Sequence, residues 1–201
     1  VKSMVDVPVG TVGRINNPEL AEQILQEGKA DFVALGRALI ADPDFPRKAM
    51  EGRSDEIRRC VACRFCSDNS RHASIQCMVN PAAGRELEWP EERAAQPKKV
   101  LVVGAGPTLY DQAGFVGGMA ALGSKPPSKA ELQGLVDYYR VQLQRTGVEV
   151  RLNHRVTPET VREVAPDVVV AATGSLPVVL PIPGIDGPNV VQARDVLADG
   201  A

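Results

Sequence analysis

The 201-residue chain has no long hydrophobic run, almost no net charge and very few histidines. No apolar stretch approaches the roughly 18 residues that a membrane-spanning helix needs. The first ten residues, VKSMVDVPVG, hold no apolar core of signal-peptide length, so a cytoplasmic protein is expected. A net charge of -2 leaves no electrostatic footprint for nucleic acid or for an anionic membrane. His72 and His154 are the two imidazoles. The first falls in a cysteine-containing loop and the second follows a strand among polar residues, so both read as surface or hydrogen-bonding side chains, not catalysts. Tyr110, Tyr138 and Tyr139 read as packing residues.

Proline, by contrast, is plentiful at 16 residues, and it falls mostly between elements as punctuation. Three regions follow. Residues 1–58 read as strand, helix, strand, helix, an α/β pattern with parallel strands. VPVGTVGRI is a buried strand ending in Gly13-Arg14. NNPELAEQILQEG is a helix with Asn17 as N-cap, Pro18 at its first position and Gly28 as its stop. ADFVALGRALI is a second buried strand ending in Gly36-Arg37. Two such units close neither a barrel nor a stable sheet by themselves, which points to a piece of something larger. Residues 59–97 hold every cysteine and end in a charged linker. Residues 98–201 are again α/β: the strand VLVV, a Gly-rich turn, and a helix over 128–147 with Ser128 as cap, Glu131 as its capping-box partner and Gly147 as its stop. The strand VEVRLN, the helix PETVREVA and the buried strand PDVVVAATG complete it.

Cys60, Cys63, Cys66 and Cys77 are spaced C-x2-C-x2-C-x10-C. Three thiolates in one tight loop and a fourth further on suit a cuboidal [4Fe-4S] cluster. Structural zinc more often uses two separated C-x2-C knuckles, and disulfides do not suit a chain without a secretory signal. Arg58, Arg59 and Arg64 would offset the charge of such a cluster, or they are ordinary solvated arginines.

Gly104-Ala105-Gly106 follows a strand end, the position of a phosphate-binding turn. A dinucleotide fold then needs a crossover helix and a second strand ending in an acidic residue about 20 positions on. Here Asp111 comes five residues after Gly106, and no helix fits between Pro107 and Thr108. As written, VLVVG and TLYD cannot be neighbouring parallel strands, because such a connection needs about a dozen residues. Either the helix has been deleted or the sequence joins two segments that are not consecutive. The second is favoured, because both flanks fit the fold. The simpler reading of Gly104 and Gly106 is a turn with no ligand.

Taken in order, these motifs resemble the NADH:flavin oxidoreductases of the 2,4-dienoyl-CoA reductase and trimethylamine dehydrogenase group. VGRINNPELAEQIL and DFVALGRALIADPDFP are similar to the last two units of an FMN-binding TIM barrel. CVACRFC and CMVNPAAGRE are similar to the iron–sulfur segment, the C-x2-C-x2-C opening being closer to the amine dehydrogenases. KKVLVVGAGP, LYDQAGFVGGM and DVVVAATGSLPVVLPIPGID are similar to a Rossmann-like FAD- or ADP-binding domain.

The resemblance implies an FMN phosphate site at Arg14, Gly36 and Arg37, and cluster ligands at the four cysteines. It implies nucleotide contacts at Gly104, Gly106, Asp111, Met119, Lys129 and Val156, with close-approach turns at Gly117-Gly118 and Thr173-Gly174. Met119 departs from the family's polar contact, since a thioether does not replace a carboxamide donor. The implied cofactors are FMN, [4Fe-4S], FAD or ADP, and NAD(P)H. The implied partners are a small-molecule substrate, either an enoyl thioester or an N-alkyl amine, the preceding part of the barrel, and a second copy of the chain. No substrate-protonating residue is implied within these residues. Two rivals stand beside this reading: a non-catalytic electron-transfer or nucleotide-binding module, and a zinc-stabilised interaction module.

Overall fold

The computed structural model describes residues 2–69, 74–90, 92, 94–104 and 110–199. The chain divides into two compact units, Val1–Arg93 and Ala94–Ala201. Most of the cysteine-bearing segment belongs to the first unit.

In that unit β1 (Gly10–Val12) and β2 (Phe32–Ala34) pair in parallel, with Gly10 opposite Phe32 and Val12 opposite Ala34. The crossover is α1 (Pro18–Gln26), which starts where the sequence places it. The Asn17 side chain accepts from the Leu20 N–H at 2.6 Å, and Pro18 occupies the first turn. Both strands are shorter than the sequence predicts, and neither is buried. Val12 is 71% exposed and Phe32 52% exposed. A two-stranded sheet cannot cover both of its faces, so apolar runs that read as buried stay open.

The core lies beyond β2. There α2 (Arg37–Ala41) and α3 (Phe45–Met50) bring Ala38 and Phe45 against Ile57, with Leu35 and Ala49 at its edge. Asp42, 3% exposed, ties this core to the chain entering the cysteine loop. Its carboxylate accepts from the Arg58 N–H at 2.8 Å, the Asp44 N–H at 3.0 Å and Lys48 Nζ at 2.6 Å. Further on, α4 (Phe65–Asn69) carries Cys66. Asn80 Nδ2 reaches back to the Ile40 carbonyl at 2.9 Å, fastening the stretch after Cys77 to α2.

In the second unit β3 (Val100–Val103) and β4 (Val168–Ala171) pair in parallel. Tyr110 bridges Val103 in parallel on the other side of β3, and Arg151 bridges Tyr110 in turn. The order across the sheet is thus Arg151, Tyr110, β3, β4. Tyr110 thus lies beside β3 in parallel, the neighbourhood that a direct connection of VLVVG to TLYD was expected not to reach. The Gly104 N–H donates to the Tyr110 carbonyl at 3.2 Å, and the Tyr110 N–H donates to the Val102 carbonyl at 3.3 Å. The connection over 105–109, with the junction at Pro107 and Thr108, lies outside the described residues.

Three other expectations change. Among the described residues VEVRLN forms one bridge, Arg151 with Tyr110, and no strand. All four residues of β4 are exposed, for the reason that holds in the first unit. Ser128 does not cap the long helix: α6 (Glu131–Arg145) begins after Ala130, and Ser128 lies in the left-handed region at φ 65°. Gly147 does stop that helix, at φ 66°. The helix α5 (Gly118–Gly123) approaches α6 so closely that a Cβ on Gly117 would lie 2.8 Å from the Val136 methyls. Thr157 caps α7 (Pro158–Val164) through a capping box with Thr160, and α8 (Ala193–Asp199) follows. Tyr110 and Tyr138 are buried, as packing residues should be. No helix among the described residues is long and apolar enough to cross a membrane.

Candidate cofactor sites

Each unit holds a cavity of its own. The first, about 190 Å³, opens at the ends of β1 and β2. Gly13, Arg14, Asn16, Gly36, Arg37 and Cys60 are among its lining residues. Parallel strands direct the turns that follow them to one edge, and that is why Arg14, just after β1, meets Gly36 and Arg37, just after β2. Two guanidiniums on one small cavity make a chemically sound phosphate cradle, since Arg pairs with phosphate through two parallel N–H bonds.

The cavity also takes in the start of the cysteine loop. Asn16 Nδ2 donates to the Cys60 carbonyl at 3.2 Å. Burial pushes the Cys60 thiol up. The Ala62 N–H and the Arg37 guanidinium pull it down, and the neighbouring Cys77 and Cys63 add to the rise. The sequence left Arg58, Arg59 and Arg64 open between balancing charge and ordinary solvated arginines. In the structure Arg59 lies 3.7 Å from Glu19 and the exposed Arg64 lies 3.9 Å from Asp68. Arg37, which lines the cavity with Cys60, is a further cation beside that thiol. Asn16 was missed as well. The Asn16-Asn17 pair was its signal, because only one of the two can cap α1.

The cysteine loop itself fits a wrapped ligand. Ala62 and Arg64, on either side of Cys63, both adopt left-handed conformations at φ 55° and 64°. Such residues cost about 1 kcal/mol or more each and persist where the surroundings over-determine them. Among the described residues no three His, Cys, Asp or Glu side chains converge as ligands of one metal ion. A cuboidal cluster does not require that convergence, since it spreads four thiolates over four irons.

The second cavity, about 620 Å³, lies at the end of the four-position sheet. Gly104, Asp111, Met119, Val156, Thr173 and Gly174 line it, as do His154, Arg155 and Arg194, which the sequence did not assign there. Gly104 cannot carry a side chain: its φ is 106°, and a Cβ would lie 2.3 Å from Thr173 Cα. Asp111 is 5% exposed, and one of its oxygens accepts from the Ala113 N–H at 2.8 Å. Its other oxygen, Oδ2, is buried with no partner. His154, itself half-buried, has its Nε2 in the same state. Lys129 is exposed and does not line the cavity. Gly106 and His72 lie outside the described residues.

The first unit thus joins parallel strands, two arginines on a cavity at the strand ends, and a four-cysteine loop. Comparison with known proteins makes this specific. The NADH:flavin oxidoreductase / NADH oxidase family matches residues 1–56. The chain is 43% identical to the NADH oxidase of Thermoanaerobacter brockii over 98% of its own length and 34% of the relative's. It is 38% identical to the cinnamate reductase of Clostridium sporogenes over 99% of its length and 32% of the relative's. Among solved structures, a 2-naphthoyl-CoA reductase complex superposes with a TM-score of 0.88 at 34% identity, covering 100% of this chain and 33% of that one. The chain belongs to the NADH:flavin oxidoreductase / NADH oxidase family, and it spans about a third of the length of the relatives it matches.

Proposed function

We propose that the chain forms part of a flavin- and iron–sulfur-dependent oxidoreductase. Arg14, Gly36 and Arg37 hold the phosphate of FMN in the smaller cavity. Cys60, Cys63, Cys66 and Cys77 hold a [4Fe-4S] cluster, and the larger cavity holds the adenosine diphosphate part of FAD or ADP itself. When bound, these groups supply electron transfer linking NAD(P)H, FMN, the cluster and the second nucleotide.

The observation that carries this reading is the shared wall of the smaller cavity: Cys60, the first cluster ligand, lines the same space as Arg14 and Arg37. An Arg pair that neutralises phosphate and a thiolate that ligates iron then belong to one rigid neighbourhood. In the second unit, the order Arg151, Tyr110, β3, β4 supports a Rossmann-like reading, since it matches half of such a sheet. There Gly104 allows close backbone approach, and Asp111 presents a free carboxylate oxygen.

The substrate class best supported is an unsaturated carboxylate or acyl thioester, the kind named in the cinnamate and 2-naphthoyl-CoA reductases. Oxidation or demethylation of an N-alkyl amine is the second reading, favoured by the C-x2-C-x2-C opening.

The test is anaerobic purification of the chain, with iron and acid-labile sulfide measured per chain. Expected are about four of each, with a broad absorption shoulder near ~400 nm that dithionite bleaches. Cys60→Ala should lose both. A colourless protein with stoichiometric zinc would replace this reading with a zinc-stabilised module. Arg37→Ala should weaken FMN binding about tenfold or more while leaving the iron content intact.

A further inference from the structure

We propose that His154 is a second anchor for the ribose of the nucleotide, acting beside Asp111. The inference rests on the adenosine-nucleotide reading of the larger cavity. Among the described residues, two buried side-chain polar atoms have no hydrogen-bond partner, Asp111 Oδ2 and His154 Nε2. Both residues line the same cavity. Buried polar atoms are satisfied in the great majority of native sites, so two orphans on residues that line one cavity point to a ligand that supplies the missing partners.

Their placement is set by the backbone. The His154 N–H donates to the Asp111 carbonyl at 2.8 Å, which makes the two residues neighbours across the sheet edge. The imidazole stands edge-on to the Tyr110 ring, with centroids 5.1 Å apart and planes at 79°. Tyr110 is itself buried and has the Arg151 guanidinium 5.5 Å from its ring centre. The ring of His154 is thus held by packing in the wall of the cavity, with its Nε2 buried and unpartnered.

The chemistry of the two orphans selects the ligand. An ionised carboxylate accepts only, whereas imidazole nitrogen donates or accepts according to its tautomer. The ribose of an adenosine nucleotide presents two adjacent hydroxyls, each able to donate and to accept. One hydroxyl donates to Asp111 Oδ2 and the other pairs with His154 Nε2. A 2′-phosphate would set a dianion against the buried Asp111, so the site takes the unphosphorylated ribose.

The experiment uses the full chain in isothermal titration calorimetry with ADP, 2′-deoxy-ADP and 3′-deoxy-ADP. His154→Phe keeps the ring contact with Tyr110 and removes Nε2. It should weaken ADP binding about five- to tenfold. That loss should vanish with one of the two deoxy nucleotides, because the partner is already gone. His154→Gln, with a carboxamide in place of the imidazole, should bind ADP within about twofold of the parent. If His154→Phe fails to melt cooperatively, the same comparison is made between His154→Gln and His154→Leu. Equal affinities of parent and variant for ADP would overturn the inference while leaving the nucleotide reading intact. A parent chain that binds no ADP would remove both.

Discussion

The side-chain amide of Asn16 donates to the main-chain carbonyl of Cys60 at 3.2 Å, across 44 residues of sequence. This single bond joins the turn after β1, where Arg14 sits, to the first residue of the cysteine loop. Asn16→Ala should therefore disturb two properties at once. The lost bond is worth about 1 kcal/mol, and the Cys60 carbonyl keeps its position less well. Under the proposed function, flavin and iron per chain should fall together, by equal fractions. Iron loss with full flavin retention would show that the bond does not couple the two sites.

Asp42 governs how the chain enters that loop. It is almost fully buried, and it serves Lys48, the Arg58 N–H and the Asp44 N–H with one carboxylate. Asp42→Ala strands a lysine whose side chain is only 17% exposed, together with two backbone donors. Breaking a buried pair from one side costs about 3–5 kcal/mol. Asp42→Asn keeps one acceptor and should recover part of that. Urea denaturation followed by circular dichroism reads both values, and an Ala variant as stable as the Asn variant would contradict this account.

How much of this was legible beforehand follows from where the information lies along the chain. The cap at Asn17, the stop at Gly147 and the strands within VLVV and PDVVVAATG are local patterns or apolar runs, and all appear as read. Arg14, Gly36 and Arg37 were named from the family resemblance, and the parallel strands bring the turns that carry them to one edge. What the sequence hid depends on long-range partners. Asp42 looks like an ordinary loop acid until Arg58 and Lys48 arrive from elsewhere. His154 looks like a surface histidine until Tyr110 and Asp111 flank it. Exposure was misread for a related reason: Val168, Val169 and Val170 form a run that reads as buried, but burial depends on what packs against a strand, and in the second unit they remain 38–45% exposed.

Gly104 is the position in the larger cavity with the least tolerance. Its φ of 106° is unfavourable for any L side chain, and an added Cβ would also lie 2.4 Å from the Ala172 carbonyl oxygen. Backbone on both sides cannot yield as a flexible side chain could. Gly104→Ala should therefore push β3 and β4 apart where Ala172 donates to the Val103 carbonyl at 2.7 Å. The expected cost is about 2–4 kcal/mol, combining left-handed strain with overpacking. Amide hydrogen exchange should show the loss of protection at Ala172 and Gly104. Unchanged protection there would mean that the turn relaxes without moving the sheet.

Glu19 gives the first unit a defined response to acid. It lies on α1 and accepts a hydrogen bond from the Ser54 hydroxyl, with the Arg59 guanidinium 3.7 Å away. The Ser54 hydroxyl holds its carboxyl below the usual glutamate range, partial burial opposes this, and its own backbone N–H and Arg59 assist. Because the folded value is depressed, the unfolded chain binds the proton more readily. The stabilisation is fully present above the ordinary glutamate value and is lost as pH falls through the folded one. The side chain is 64% exposed, so the contribution is at most about 0.5–1 kcal/mol. Glu19→Gln keeps an acceptor for Ser54 but removes the charge. Parent and variant should differ by that amount at pH 7 and converge below about pH 4, the ordinary glutamate range. The measurement is a pair of urea titrations at each pH. A gap that persisted undiminished to pH 3 would assign the stabilisation to packing of the side chain and not to its charge.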